Sequence, residues 1–193
     1  MTLFTKRIVA SGDDGYTNLT QGFDNVQAYG PAFGYGGGVI NGFARFTNIT
    51  VPKGSVINAA KLTFVAQTSV SVATCKVKIF CNAADNATAP TSNTTHNGKV
   101  RSTAFVSWTV PGQTSGSSYD TPDIKSVVQE IIDRAGWNSG NALMVLIDDD
   151  GSSSGAYRLE RSYDGFPATA ALLTIDYQTA TERSRFFRMF AIP

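Results

Sequence analysis

The chain has 193 residues, enough for one domain of ordinary size. Charged residues make up 16% against 42% hydrophobic ones, too few charges for a coiled coil or a disordered polyelectrolyte. With 16 Lys and Arg against 15 Asp and Glu the net charge is +1, so no global field exists to hold a polyanion and nucleic acid is not expected as a partner.

From the N-terminus, no apolar run of signal-peptide length follows Lys6 and Arg7, so export through an N-terminal signal is not expected. Residues 22–42 are Gly-rich with Phe23, Tyr29, Phe33 and Tyr35 interspersed, which predicts a long surface loop or a pair of irregular edge strands. A strand over 43–49 runs into Val51-Pro52-Lys53-Gly54, where Pro and Gly suit the second and fourth positions of a turn. Leu62, Phe64 and Ala66 share one side of the next strand. Residues 74–81 alternate polar and apolar, so Cys75, Val77, Ile79 and Cys81 point to one face. Six residues of strand separate the two cysteine Cα atoms by about 20 Å, beyond the roughly 7 Å that a disulfide spans. Two buried thiols and a reducing compartment follow.

Residues 82–98 read as a polar loop, and 105–110 as a strand ended by Pro111-Gly112. One segment has helical periodicity. Thr121-Pro122-Asp123 offers an N-cap, a first-turn proline and a carboxylate at the positive helix end. Ile124, Val127, Val128 and Ile131 then form one apolar stripe, with Arg134 in the last turn and Gly136 as a left-handed cap. The spacing predicts a short amphipathic helix over about 122–135, covering one end of the fold. The apolar run 142–147 fits a central strand buried on both sides; at six residues it is far short of the about 20 needed to cross a bilayer, so no membrane insertion is expected. Strands over 156–161 and 171–177 complete an all-β sandwich. After Tyr177 the composition changes, and residues 179–193 mix arginines with bulky apolar residues.

Candidate chemistry is sparse. His96, the one histidine, is read as a solvated loop residue, and a metal site built on histidines is excluded. Of three glutamates, Glu130 lies on the polar side of the helix, Glu182 in the tail, and Glu160 reads as an ion-pair partner of Arg158 or Arg161. Nothing pairs two carboxylates as glycoside hydrolysis requires. Asp13-Asp14-Gly15 and Asp148-Asp149-Asp150-Gly151 admit Ca²⁺, with Asp13, Asp14, Asp148 and Asp150 as ligands, but turn-forming Asp beside Gly is the stronger explanation. No other cofactor is expected. Gly34-Tyr35-Gly36-Gly37-Gly38 lacks the continuation of a phosphate loop. The aromatic residues of 22–42 remain: a platform for sugar rings, packing onto the sandwich, or contact with a partner chain.

Three stretches carry a family likeness. They are Ala10-Ser11-Gly12-Asp13-Asp14-Gly15-Tyr16, the segment Arg45-Phe46-Thr47-Asn48-Ile49 continuing to Ile57, and Val128 through Trp137-Asn138-Ser139-Gly140-Asn141 to Leu143. With Ser162-Tyr163-Asp164-Gly165-Phe166-Pro167 they resemble the DNRLRE-like jelly-roll domains, relatives of carbohydrate-binding modules. The resemblance covers about residues 8–178 and implies a non-catalytic jelly-roll β-sandwich, taken as a domain over 1–178; the Arg/Phe-rich segment 179–193 departs from the family and is read as a docking tail. Without an export signal, and with Arg183, Arg185, Phe186, Phe187, Arg188, Met189 and Phe190 available to bind a neighbouring subunit, the expected role is a virion structural or accessory protein. It would be a capsid decoration or tail component of a bacteriophage, made in the host cytoplasm and bound to other virion proteins or copies of itself. Adhesion to host-surface polysaccharide through Phe23, Tyr29, Phe33 and Tyr35 fits that role; the alternative is a free-standing carbohydrate-binding module, cytoplasmic or extracellular.

Overall fold

The computed structural model describes residues 1–26, 29–70 and 73–179. Its strands are β1 (Thr2–Arg7), β2 (Asp14–Asn18), β3 (Gly22–Asp24), β4 (Tyr29–Tyr35), β5 (Val39–Phe46), β6 (Val56–Val65), β7 (Cys75–Cys81), β8 (Val106–Val110), β9 (Ser118–Asp120), β10 (Leu143–Asp149), β11 (Tyr157–Arg161) and β12 (Leu172–Gln178). Two short helices join them, α1 (Asn93–Asn97) and α2 (Lys125–Ile132). The fold is all-β, with two antiparallel sheets. The smaller runs β1-β12-β6-β9, and the larger runs β11-β4-β5-β10-β7-β8, with β2 added on β5 and β3 on β2.

Strand alternation builds the core. Leu62 and Phe64 of β6 and Leu173 and Ile175 of β12 join Val77 and Ile79 of β7 and Leu143, Val145 and Ile147 of β10 in one buried cluster. Burying each such side chain contributes about 1.5–3 kcal/mol. The continuous apolar run in β10 has its explanation here. Met144 and Leu146 point to the opposite side, where Phe43, Ala87 and Phe23 cover them, so β10 is buried on both faces. Cys75 and Cys81 are free and buried on the core side of β7, and burial pushes both thiols up.

Several expectations need correction. The segment 22–42 is largely regular: β4 lies between β11 and β5, not at an edge. The turn after Val51 closes one residue later than expected, with Ser55 N–H donating to the Pro52 carbonyl (3.2 Å) and Gly54 at φ +72°. The loop over 82–98 contains α1, capped reciprocally by Ser92 and Thr95.

The larger helix is shorter than 122–135. Thr121 and Pro122 do not start it, because the chain ahead of it continues the ladder on β6. Thr121 N–H donates to Leu62 O and Ile124 N–H to Ala60 O, while Thr121 Oγ1 and Asp123 Oδ1 accept from the Leu62 and Ala60 amides. The hydroxyl that would have capped a helix is used on a sheet edge instead. Gly136 is not left-handed either; a Cβ there would lie 2.1 Å from Asp85 Oδ2, so a close approach demands the glycine. Arg134, past the end of α2, donates to Asp85 Oδ1 (2.7 Å). As expected, α2 covers one end of the core, burying Val127, Val128, Ile131 and Ile132 against strands of both sheets.

Glu160 is not a surface ion-pair partner. It is fully buried on the inner side of β11 beside equally buried Arg158. The Arg158 guanidinium donates to four backbone carbonyls, those of Pro111 (3.0 Å), Tyr157 (3.0 Å), Val110 (3.2 Å) and Ala73 (3.4 Å). Glu160 Oε1 accepts from Gln113 Nε2 (2.7 Å), and its other oxygen and Gln113 Oε1 are both buried without a partner. Burial, opposed by the Gln113 bond and the Arg158 charge, pushes the Glu160 carboxyl up to about 7. One proton on Glu160 supplies the donor that the two orphaned acceptors lack, closing an acid–amide pair.

A carboxyl raised from 4.5 stabilises the fold fully below about pH 4.5, and that stability is lost as pH rises through about 7. Glu160→Gln replaces the acid by an amide that keeps both bonds at every pH. Denaturant titrations at pH 4.5 and pH 8 are expected to show the variant gaining on the wild type by on the order of 2–3 kcal/mol at the higher pH. A difference that does not change with pH would contradict this protonation.

Candidate functional site

The feature with the most chemistry on the surface is a cleft of about 340 Å³ at one end of the larger sheet. That is within the range of small-molecule sites, at its lower end. Tyr16 and Asn18 come from β2, Tyr29 from the start of β4, Ile40 from β5, and Tyr157 and Leu159 from β11; Gln21, Gly36, Gly37 and Gly155 complete the lining from turns.

Each wall has a local cause. Tyr157 and Leu159 face the cleft because Arg158 and Glu160, which alternate with them, face the core. The Tyr16 and Tyr29 rings lie 6.2 Å apart and 22° from parallel. Burial foremost, then the neighbouring Tyr29 hydroxyl and the Asp24 charge, hold the Tyr16 hydroxyl well above the usual phenol range, so it stays protonated. Gly36 must be small, since a Cβ would come within 2.9 Å of the Tyr157 ring and 3.1 Å of Ile40 Cδ1. Asn18 fixes the β2–β3 turn, its Oδ1 accepting from Thr20 Oγ1 (2.8 Å), Thr20 N–H (3.0 Å) and Gln21 N–H (3.3 Å).

The lining thus offers aromatic faces, hydroxyls and amides, and none of its residues is charged. A second concavity of about 340 Å³ lies on the outer face of the smaller sheet, lined by Leu3, Ala59, Lys61, Thr174 and Asp176 among others. It has no aromatic ring on which a flat ligand can stack, and the Lys61 ammonium is engaged with Asp120 (2.6 Å).

The four aromatic residues expected to form a platform separate. Tyr29 lines the cleft. Tyr35 is half-buried beyond its lining. Phe33 is fully buried, its ring 5.9 Å from Phe64 and 6.0 Å from Trp108, so it belongs to the core. Phe23 stacks on Phe43 at 6.0 Å and covers the outer side of the larger sheet. Tyr16, Tyr157, Asn18 and Gln21 were missed from the sequence. The available signal was glycine before an aromatic residue, in Gly15-Tyr16 and Gly155-Ala156-Tyr157, together with the alternation of Tyr157 and Leu159.

The acidic residues are committed elsewhere. Asp13 pairs with Arg45 (2.5 Å), Asp148 takes both Nε and Nη2 of Arg101 (2.9 and 3.0 Å), and Asp150 pairs with Lys78 (2.8 Å). Asp14 is buried; one oxygen accepts from Tyr163 N–H (2.9 Å) and the other has no partner. Burial foremost pushes its carboxyl up to about 7, helped by the charges of Asp164 and Asp13. Among the described residues no group of three or more His, Cys, Asp or Glu is gathered to hold a metal ion, and cation partners now explain three of the four residues proposed for Ca²⁺.

His96 requires a correction as well. It is fully buried on α1, hydrogen-bonded through Nδ1 to Thr17 Oγ1 (2.8 Å) and set against the Phe43 ring at 5.0 Å. Burial, then the charges of Arg101 and Lys99, hold it down at about 3, so it is a neutral core residue. The tail residues Arg183, Arg185, Phe186, Phe187, Arg188, Met189 and Phe190 lie outside the described residues.

In comparisons with known proteins, no family model matches the chain and no curated protein matches it either.

The Asn18 turn gives a direct check on how the rim is held. Asn18→Ala removes an acceptor from three donors and is expected to lower unfolding free energy by about 1–3 kcal/mol, read from the urea midpoint at unchanged slope. Asn18→Asp, which keeps the oxygen, is expected to recover most of the loss; equal losses in both variants would assign Asn18 another role.

Proposed function

We propose that this chain is a non-catalytic jelly-roll domain that binds saccharide in the Tyr16/Tyr29/Tyr157 cleft. The observation that carries the reading is the lining itself: three tyrosines and two carboxamides around a concavity sized for one or two sugar rings. Sugar rings present C–H faces that pack on aromatic rings and hydroxyl edges that pair with amides and phenols. A jelly roll is supported by the pairing of the first and last strands, β1 with β12, and by β5, β6 and β7 alternating between the sheets. A binding role, without turnover, is supported by the absence of any carboxylate from the lining residues, and by the burial of Asp14, Glu160 and His96.

The setting proposed for this binding is a virion, where a capsid decoration or tail component gains from affinity for host-surface glycans. The mixture of arginine with bulky apolar residues in 183–190 supports it; the same domain acting as a free-standing carbohydrate-binding module, which the resemblance to DNRLRE-like domains supports, is the second reading.

Affinity electrophoresis through a panel of soluble polysaccharides tests the saccharide reading. Retardation is expected for the full chain and is expected to fall at least tenfold in Tyr157→Ala and Tyr29→Ala, while Tyr35→Ala leaves it nearly unchanged. No retardation on any polysaccharide would contradict the reading. Removing residues 180–193 separates the two settings: the virion reading expects unchanged melting temperature with loss of self-association or of binding to a partner subunit, whereas a module acting alone loses neither.

A further inference from the structure

We infer that the cleft takes an uncharged saccharide and turns uronate sugars away, with Asp24 the residue that sets the preference. This deepens the saccharide reading and rests on it. A uronate brings a carboxylate at every ring, and recognition of a carboxylate relies on a paired guanidinium or ammonium. The lining has neither. The two arginines of β11 are both used elsewhere. Arg158 points into the core and is spent on backbone carbonyls, while the Arg161 guanidinium sits 4.4 Å over the Phe166 ring and reaches Thr169 Oγ1 at 3.5 Å.

A negative charge stands beside the cleft instead. Asp24 of β3 is directly opposite Tyr16 in the β2–β3 ladder, so the two side chains share a face of the sheet. Its carboxylate accepts from the Val26 amide (3.1 Å) and acts on the Tyr16 hydroxyl electrostatically. It lies outside the lining, behind Tyr16, with no cation paired to it among the ion pairs of the described residues. A sugar carboxylate entering the cleft loses water, finds no cation, and meets Asp24. A neutral ring has none of these costs, and its hydroxyls pair with Gln21 and the tyrosine hydroxyls.

Isothermal titration of the full chain with neutral oligosaccharides (β-glucan and mannan) and with uronate ones (oligogalacturonate and alginate) tests the inference, with Tyr157→Ala and Asp24→Asn as variants. The expected result is binding of a neutral probe at least tenfold tighter than any uronate, lost in Tyr157→Ala. Asp24→Asn is expected to raise uronate affinity by about threefold without changing neutral binding, with the gain shrinking in high salt. Uronate binding as tight as neutral binding, and lost in Tyr157→Ala, would overturn the preference while leaving the saccharide reading intact. Binding of neither class would remove both. Unchanged uronate affinity in Asp24→Asn would overturn the role of Asp24.

Discussion

The fold and its cleft meet on one strand of five residues. β11 points Arg158 and Glu160 into the core and Tyr157 and Leu159 toward the cleft. The Arg158 guanidinium ties Ala73, Val110 and Pro111 to that strand, and Glu160 ties it to Gln113. An isolated bridge from Glu160 to Ala66 reaches the chain just after β6 in the smaller sheet. Buried charges are costly unless their hydrogen bonds are filled. Arg158 is filled by carbonyls whose positions it thereby fixes. The inner side of β11 holds loops from both sheets in place, and the outer side presents two walls of the cleft.

That arrangement was half legible from the amino-acid sequence. Strand periodicity in 74–81 and 171–177 and the apolar stripe from Ile124 to Ile131 reported the two sheets and the helix, because burial of one face leaves a period in the residues, while the unbroken apolar run 142–147 reported a strand buried on both faces. Polar side chains that go inward leave no such mark. Glu160 between two arginines looks like an ion pair on a surface strand, and nothing in its neighbours tells that Gln113, 47 positions away, supplies its partner. His96, in a stretch of Asn and Thr, gave no hint of Phe43 and Thr17 closing over it.

The same limit explains the cleft. Tyr29 was found because it lies in a segment of unusual composition, and Phe33 was drawn in for the same reason although its ring is core. Tyr16 and Tyr157 sit in ordinary strand sequence, 141 positions apart, and come together only because β2 and β4 both border β5 while β11 borders β4. Local sequence names aromatic residues; sheet order decides which of them share a surface. Thr121 makes the matching point for helices: the expected N-cap does not cap α2, because its hydroxyl accepts from the buried Leu62 amide of β6.

The proposed saccharide site lies where β2, β4 and β11 converge. Amide chemical-shift mapping of the ¹⁵N-labelled full chain during titration with a neutral oligosaccharide locates the ligand residue by residue. Saturable shifts are expected to concentrate at Tyr16, Gln21, Gly36, Gly37, Gly155 and Tyr157. Shifts centred on Leu3, Ala59, Lys61 and Thr174, across the outer face of the smaller sheet, would contradict it, as would a spectrum that does not move.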